Sequence, residues 1–168
     1  SKEFIKQKSF KFSRIKFLKR KLYLIVNRQI KLEVLKILPE HRHILWINLS
    51  APSLGDSLMD LSSRVLLEDK TIDLFTNFKN KNLYENDEFF SCIYSDISQF
   101  KKHNYDLVII DSFSTRSVKI KAKIAAKVPF VGIFGYYNGP EVNRVLYSFH
   151  QMNNLLGYRL NQEEIDEC

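Results

Sequence analysis

The sequence predicts an α/β fold: a parallel sheet with helices on both faces, preceded by a basic amphipathic helix. Three observations lead there. Short apolar runs alternate with segments of helical period about 10 to 15 residues long, the pattern of strand–helix–strand units. The apolar runs are continuous rather than alternating, as in "DLVII" at 106–110, so these strands are buried on both faces, which parallel sheets require. The chain has 168 residues, enough for one domain with its own core.

The first element is read from "FKFSRIKFLKRKLYLIVNRQIKLEVLKIL", residues 10–38. Ile15, Leu18, Leu22, Ile25, Leu32 and Leu35 recur at helical spacing, and lysines and arginines fill the other faces. Pro39 is the expected stop, because the residue before a proline avoids helical geometry. Next come a strand at "ILWINL" and a helix over "GDSLMDLSSRVLLED", with Leu58, Leu61, Val65 and Leu66 at helical spacing. "TIDLFT" is a second strand and "SCIYS" a third. "SDISQFKKHN" reads as a short helix capped by Ser95 or Asp96. "YDLVIID" is the strongest strand. "RSVKIKAKIAAKV" is a helix and "PFVGIFG" a strand opened by Pro129. The last helix spans "GPEVNRVLYSFHQMNNLLGY", with Pro140 near its start and Gly157 as its stop. Residues 1–40 are thus a basic helical extension and residues 41–168 the α/β body.

Charge is divided in the same way. Residues 1–43 hold 13 Lys/Arg against 3 Asp/Glu, and the other 125 residues hold 13 against 16, so the net +7 is +10 on the extension and −3 on the body. Such a helix docks on the body, lies on an anionic membrane surface with residues 10–38 as the contact, or, as the lesser alternative, binds nucleic acid. No recognised nucleic-acid motif is present, and no nucleic-acid partner is expected. No apolar run reaches the 18 or so residues of a membrane span. The N-terminus lacks the apolar stretch and cleavage site of a signal peptide. Cys92 and Cys168 show neither a disulfide framework nor metal-ligand spacing, and a reducing compartment fits them best. "HRH" at 41–43 lacks a third ligand in its sequence neighbourhood, and His103 and His150 stand alone, so no metal site is expected. Dinucleotide, P-loop and nucleophile-elbow motifs are all missing.

Ligands of open parallel sheets bind at the carboxyl ends of the strands. After the first strand comes "SAPSLGD", where Ser50, Ser53 and Asp56 stand at the lip of a turn shaped by Pro52 and Gly55. Asp56 either caps the following helix or serves a ligand. After "YDLVII" comes "DSFSTRSVK", rich in hydroxyls at Ser112, Ser114 and Thr115. Arg116 and Lys119 place positive charge where the helix dipole is already positive, which an anionic partner would relieve. Tyr136 and Tyr137 follow the last strand and suit either a sugar face or plain packing.

Taken in order, "ILWINLSAPSLGDSLMD", "YDLVIIDSFSTRSVKIKAKIAAKVPFVGIFG" and "RVLYSFHQMNNLLGY" resemble the N-terminal half of the lipopolysaccharide heptosyltransferases, glycosyltransferase family 9, and look closest to the heptosyltransferase II branch. The resemblance spans roughly residues 43–160. It implies a Rossmann-like acceptor-binding domain of a GT-B glycosyltransferase, which transfers sugar with inversion and without a metal. Family members run to about twice this length, and their second domain binds the nucleotide-diphosphate sugar donor. No other cofactor is implied. Carried over, Asp56 is the catalytic base. Ser53 and Gly55 shape the acceptor side, and Ser112, Ser114, Arg116 and Lys119 contact an anionic acceptor. The partners implied are a glycan or lipid-linked sugar acceptor and a separate donor-binding domain, at the cytoplasmic face of the bacterial inner membrane. A domain of this kind should not turn over alone. The rival expectation is a non-catalytic binding or assembly module derived from such an enzyme.

Overall fold

The computed structural model describes residues 10–100, 103–137 and 143–157. Five strands form one sheet: β1 (His43–Asn48), β2 (Thr71–Thr76), β3 (Cys92–Tyr94), β4 (Leu107–Ser112) and β5 (Phe130–Gly135). Their order is β3-β2-β1-β4-β5 and every pairing is parallel. The chain therefore steps outward from β1 to β3, then returns to the other side of β1. This reversal leaves a crevice between the carboxyl ends of β1 and β4, where such sheets bind ligands.

Burial on both faces explains the continuous apolar runs. On one face Ile44, Trp46, Leu74 and Ile109 pack against Leu61, Tyr84, Met152 and Leu155. These come from α2 (Leu54–Asp60) and the turn after it, α3 (Phe78–Tyr84) and α5 (Arg144–Leu156). On the other face Leu45, Ile47, Val108 and Ile110 meet Leu24 of α1 (Phe10–Val26) and Val118 of α4 (Thr115–Ile124). Each fully buried aliphatic side chain contributes roughly 1.5–3 kcal/mol. Gly157 closes α5 in the left-handed region, at φ 75°. Pro140, the expected helix opener, lies outside the described residues.

Three elements besides the basic helix differ from the sequence reading. The helix expected over 55–69 divides into α2 and a 3-10 turn at Ser62–Leu67. With three residues per turn, the tighter winding sets Leu61 and Leu67, six apart, on one side. Both are fully buried, whereas Leu58 and Val65 face outward. α3 was not expected, because its mostly polar sequence has no apolar stripe; only Asn80 and Tyr84, four apart, are buried. Of the segment 95–104, the described residues form a 3-10 turn at Ile97–Gln99, capped by Asp96, and residues 101–102 lie outside the described residues.

The largest difference is at the basic helix. α1 ends at Val26 rather than at Pro39. Arg28 adopts φ 57°, Gln29 N–H reaches Leu24 O at 2.7 Å and Arg28 N–H reaches Ile25 O at 2.9 Å. Those two bonds are a Schellman termination, built here without the usual glycine. Beyond it the chain extends along β5, where Val34 N–H donates to Phe130 O at 2.8 Å. α1 docks through Leu24 and through Arg20, whose Nη1 donates to Gly135 O and Tyr137 O at 3.0 and 2.6 Å. The residues expected to form its apolar face point outward instead: Ile15, Leu18, Leu22 and Ile25 are 64, 62, 59 and 51 % exposed.

Lys121 locks this arrangement. It is fully buried; its ammonium donates to Gln29 Oε1 and, at 2.6 Å, to Val128 O, and lies 4.9 Å from the Phe130 ring centre. Burial lowers its pKa to about 8. The unfolded chain's lysine holds its proton to about 10.4, so between these values the unfolded state binds more protons and stability rises with pH. Urea unfolding at pH 7.5 and 9.5 should show that rise, and Lys121→Met should abolish it.

Candidate functional site

Asp111 organises the crevice. It ends β4, is 2 % exposed, and has a donor on every side. Its Oδ2 accepts from the backbone N–H groups of Leu49 and Ser50 at 2.7 and 2.5 Å. Its Oδ1 accepts from Ser112 N–H at 2.6 Å and from the Ser117 hydroxyl at 2.8 Å. Burial pushes the carboxyl above its usual range, against the pull of those four donors. The effect is to pin the turn after β1 to the end of β4.

Above Asp111 lies a chain of hydroxyls. Ser112 Oγ donates to Ser50 Oγ at 3.0 Å, Ser50 Oγ lies 3.0 Å from Ser114 Oγ, and Ser114 Oγ donates to Ser117 Oγ at 3.1 Å. Ser114 also caps α4, accepting from Ser117 N–H. The first turn of α4 thus faces the crevice with its orphan amides and positive dipole end. Arg116 leans across it, donating to Leu49 O at 3.4 Å. A cavity of about 910 Å³ opens here, bounded by Ser50, Ser53, Ser114 and Arg116. Its far wall is the start of α3: Asn77, Phe78, Lys79 and Asn80. The Phe78 ring is 77 % exposed, a free aromatic face beside the cavity.

Asp56 stands apart from that wall. Ser53, not Asp56, caps α2: its Oγ accepts from Asp56 N–H at 3.2 Å and its hydroxyl donates to Asp56 Oδ2 at 2.6 Å. The other carboxylate oxygen lies 3.6 Å from Arg144 Nη1, and the side chain is 21 % exposed. Arg144 is committed mainly to Asp60, with Nε to Oδ1 at 2.8 Å and Nη2 to Oδ2 at 2.6 Å. Burial holds the Asp60 carboxyl above the usual carboxylate range even though Arg144 pulls it down. Asp56 is therefore neither sealed in the core nor spent on its own helix.

Of the residues singled out in the sequence, Ser53, Ser114 and Arg116 line one cavity, and Ser112 joins them through Ser50. Gly55 lies in the first turn of α2, outside the cavity wall, and Lys119 is exposed on α4 beyond it. Tyr136 and Tyr137 are engaged in packing, against Phe17 and Phe113 for the first and Tyr147 for the second. The sequence reading missed the α3 wall. "NFKN" directly follows β2, and the rule that directs attention to carboxyl strand ends applies to β2 as much as to β1 and β4. No helix among the described residues is long and apolar enough to cross a membrane.

Comparisons with known protein families, curated proteins and solved structures give no match.

Proposed function

We propose that this chain is the acceptor-side domain of an inverting, metal-independent glycosyltransferase of the heptosyltransferase type, working on a phosphorylated or lipid-linked glycan. The observation that carries the reading is the crevice itself. Ser50, Ser112 and Ser114 offer hydroxyls, α4 offers amides and its dipole, and Arg116 offers a fork of donors, all converging beside an open cavity. That set suits the phosphate or carboxylate of an acidic sugar. Phe78 adds an apolar plate for the sugar ring. Asp56 stands at the lip of the same end of the sheet, where it takes the acceptor's proton during attack on the donor. The donor, a nucleotide-diphosphate sugar, is held by a second domain.

Titration calorimetry with phosphorylated core oligosaccharide tests the site without turnover. Arg116→Ala should weaken binding about tenfold to hundredfold, the loss of one charge-assisted hydrogen bond. Lys119→Ala, outside the cavity wall, should change it far less. Equal losses in the two variants would mean general charge attraction and no built site.

The hydrogen bond from Ser53 and the proximity of Arg144 favour a second reading, in which Asp56 is structural and the domain only binds or assembles. Activity of the Asp56 variant, argued below, separates the two.

The outward stripe of α1, flanked by exposed Lys16, Lys19 and Lys21, fits an anionic membrane surface at the cytoplasmic face. Lys16→Gln with Lys19→Gln should lower partitioning onto phosphatidylglycerol vesicles roughly 30-fold, at about 1 kcal/mol per lysine. Partitioning that ignores both charge and salt would remove the membrane from this proposal.

A further inference from the structure

At the amino end of the sheet, away from the crevice, the fold gathers residues that sequence alone left scattered. A carboxylate oxygen of Asp73, Sγ of Cys92 and a ring nitrogen of His103 all lie within 4.8 Å of one another. Asp73 belongs to β2, Cys92 is its register partner on β3, and His103 leads into β4. Asp73 is 1 % exposed, an unusual place for a carboxylate. Its Oδ2 accepts from the Tyr105 hydroxyl at 2.7 Å and lies 3.3 Å from Nε2 of His43. Its Oδ1 is buried without any partner. An unsatisfied buried acceptor is costly, and a charged one more so, which points to a missing ligand.

We infer that Asp73, Cys92 and His103 form a site for a divalent transition metal of the zinc class, with His43 and Tyr105 orienting the carboxylate. A thiolate, an imidazole and one carboxylate oxygen select zinc over magnesium or calcium, which take oxygen ligands. Tetrahedral bonds of about 2.0–2.3 Å set ligand atoms roughly 3.3–3.8 Å apart, so the donors need to close by about 1 Å. Tyr105 and His43 occupy one oxygen of Asp73 and leave the other for the metal, as carboxylate-orienting groups do around bound metals. Cys92 and His103 are only half-buried, which gives the ion a way in and leaves the fourth position to water. On binding, the Cys92 thiol releases its proton to solvent and the sulfur coordinates as thiolate. The metal would clasp β3, a three-residue edge strand, to β2 and to the segment entering β4. It lies at the other ends of the strands from the crevice, so the inference stands or falls independently of the transferase reading.

The test uses the full chain, stripped with chelator and titrated with Co²⁺ and then Zn²⁺. One equivalent of Co²⁺ should bind with tetrahedral visible bands and a thiolate-to-cobalt charge-transfer band, which Zn²⁺ then displaces. Cys92→Ser should remove the charge-transfer band, and either Cys92→Ser or His103→Gln should weaken Zn²⁺ binding roughly 100-fold or more. Cys168→Ser should alter neither. Zn²⁺ should raise the thermal unfolding midpoint of the parent chain and leave that of Cys92→Ser in place. Two results overturn the inference: no stoichiometric binding at micromolar metal, or a band and affinity that survive both Cys92→Ser and His103→Gln.

Discussion

Asp111→Ala is expected to lower the unfolding free energy by about 3–5 kcal/mol, the scale of several donors losing one buried acceptor together. The reason lies in what the carboxylate leaves behind. Three backbone N–H groups, on Leu49, Ser50 and Ser112, and the Ser117 hydroxyl lose their acceptor together. Each buried donor left unsatisfied costs roughly 1–3 kcal/mol, and water entering the new hole recovers part of the sum. Domains of this size hold about 5–15 kcal/mol in total, so the variant sits near the edge of folding. Asp111→Asn keeps the volume and one acceptor oxygen but turns an amide toward one pair of donors, so its cost should be intermediate. Urea denaturation of the three chains gives the order. Amide resonances of Leu49, Ser50 and Ser112 should shift most, since those groups lose their acceptor. If Asp111→Ala unfolds at the parent's midpoint, the turn after β1 is held by something else, and the account of the crevice's shape is wrong.

The sheet was legible because its information is local. "ILWINL", "TIDLFT", "YDLVIID" and "PFVGIFG" each announce a strand by a short, mostly apolar run enriched in β-branched and aromatic residues. Helix ends written in one residue were legible too, as with Gly157. What stayed hidden depends on tertiary partners. α1 stops at Val26 because Gln29 is drawn into the body by buried Lys121, which lies 92 positions away. Its periodic leucines and isoleucines suggested a buried face, yet Leu24 and Arg20 dock instead and the stripe is left outside. At the site, Ser114 and Arg116 could be named from their place after a strand. Asp111 could not be given its role: an aspartate ending a strand looks like any other until the amides it holds are seen. His103 looked isolated, Cys92 showed no ligand spacing and Asp73 drew no notice for the same reason, since four separate segments supply that cluster and its neighbours.

Asp56→Asn is expected to reduce transfer 10²- to 10⁴-fold, the range for losing a positioned general base, in an assay that supplies the donor-binding domain joined or in trans. The loss should fall on kcat, because the residues proposed to grip the acceptor, Ser50, Ser114 and Arg116, line the cavity on the other side of the turn. Stability should barely move. Asparagine keeps the size of the side chain and the acceptor for the Ser53 hydroxyl. The contact given up, with Arg144 at 3.6 Å, is partly exposed, and such pairs are worth at most about 1 kcal/mol. Arg144 itself remains held by Asp60 through two shorter bonds. This separation is what makes the experiment decisive. A structural carboxylate at position 56 predicts unchanged turnover with a small stability cost, and a catalytic one predicts the reverse. Full activity in Asp56→Asn would leave the crevice as a binding site alone and make the assembly-module reading the better one.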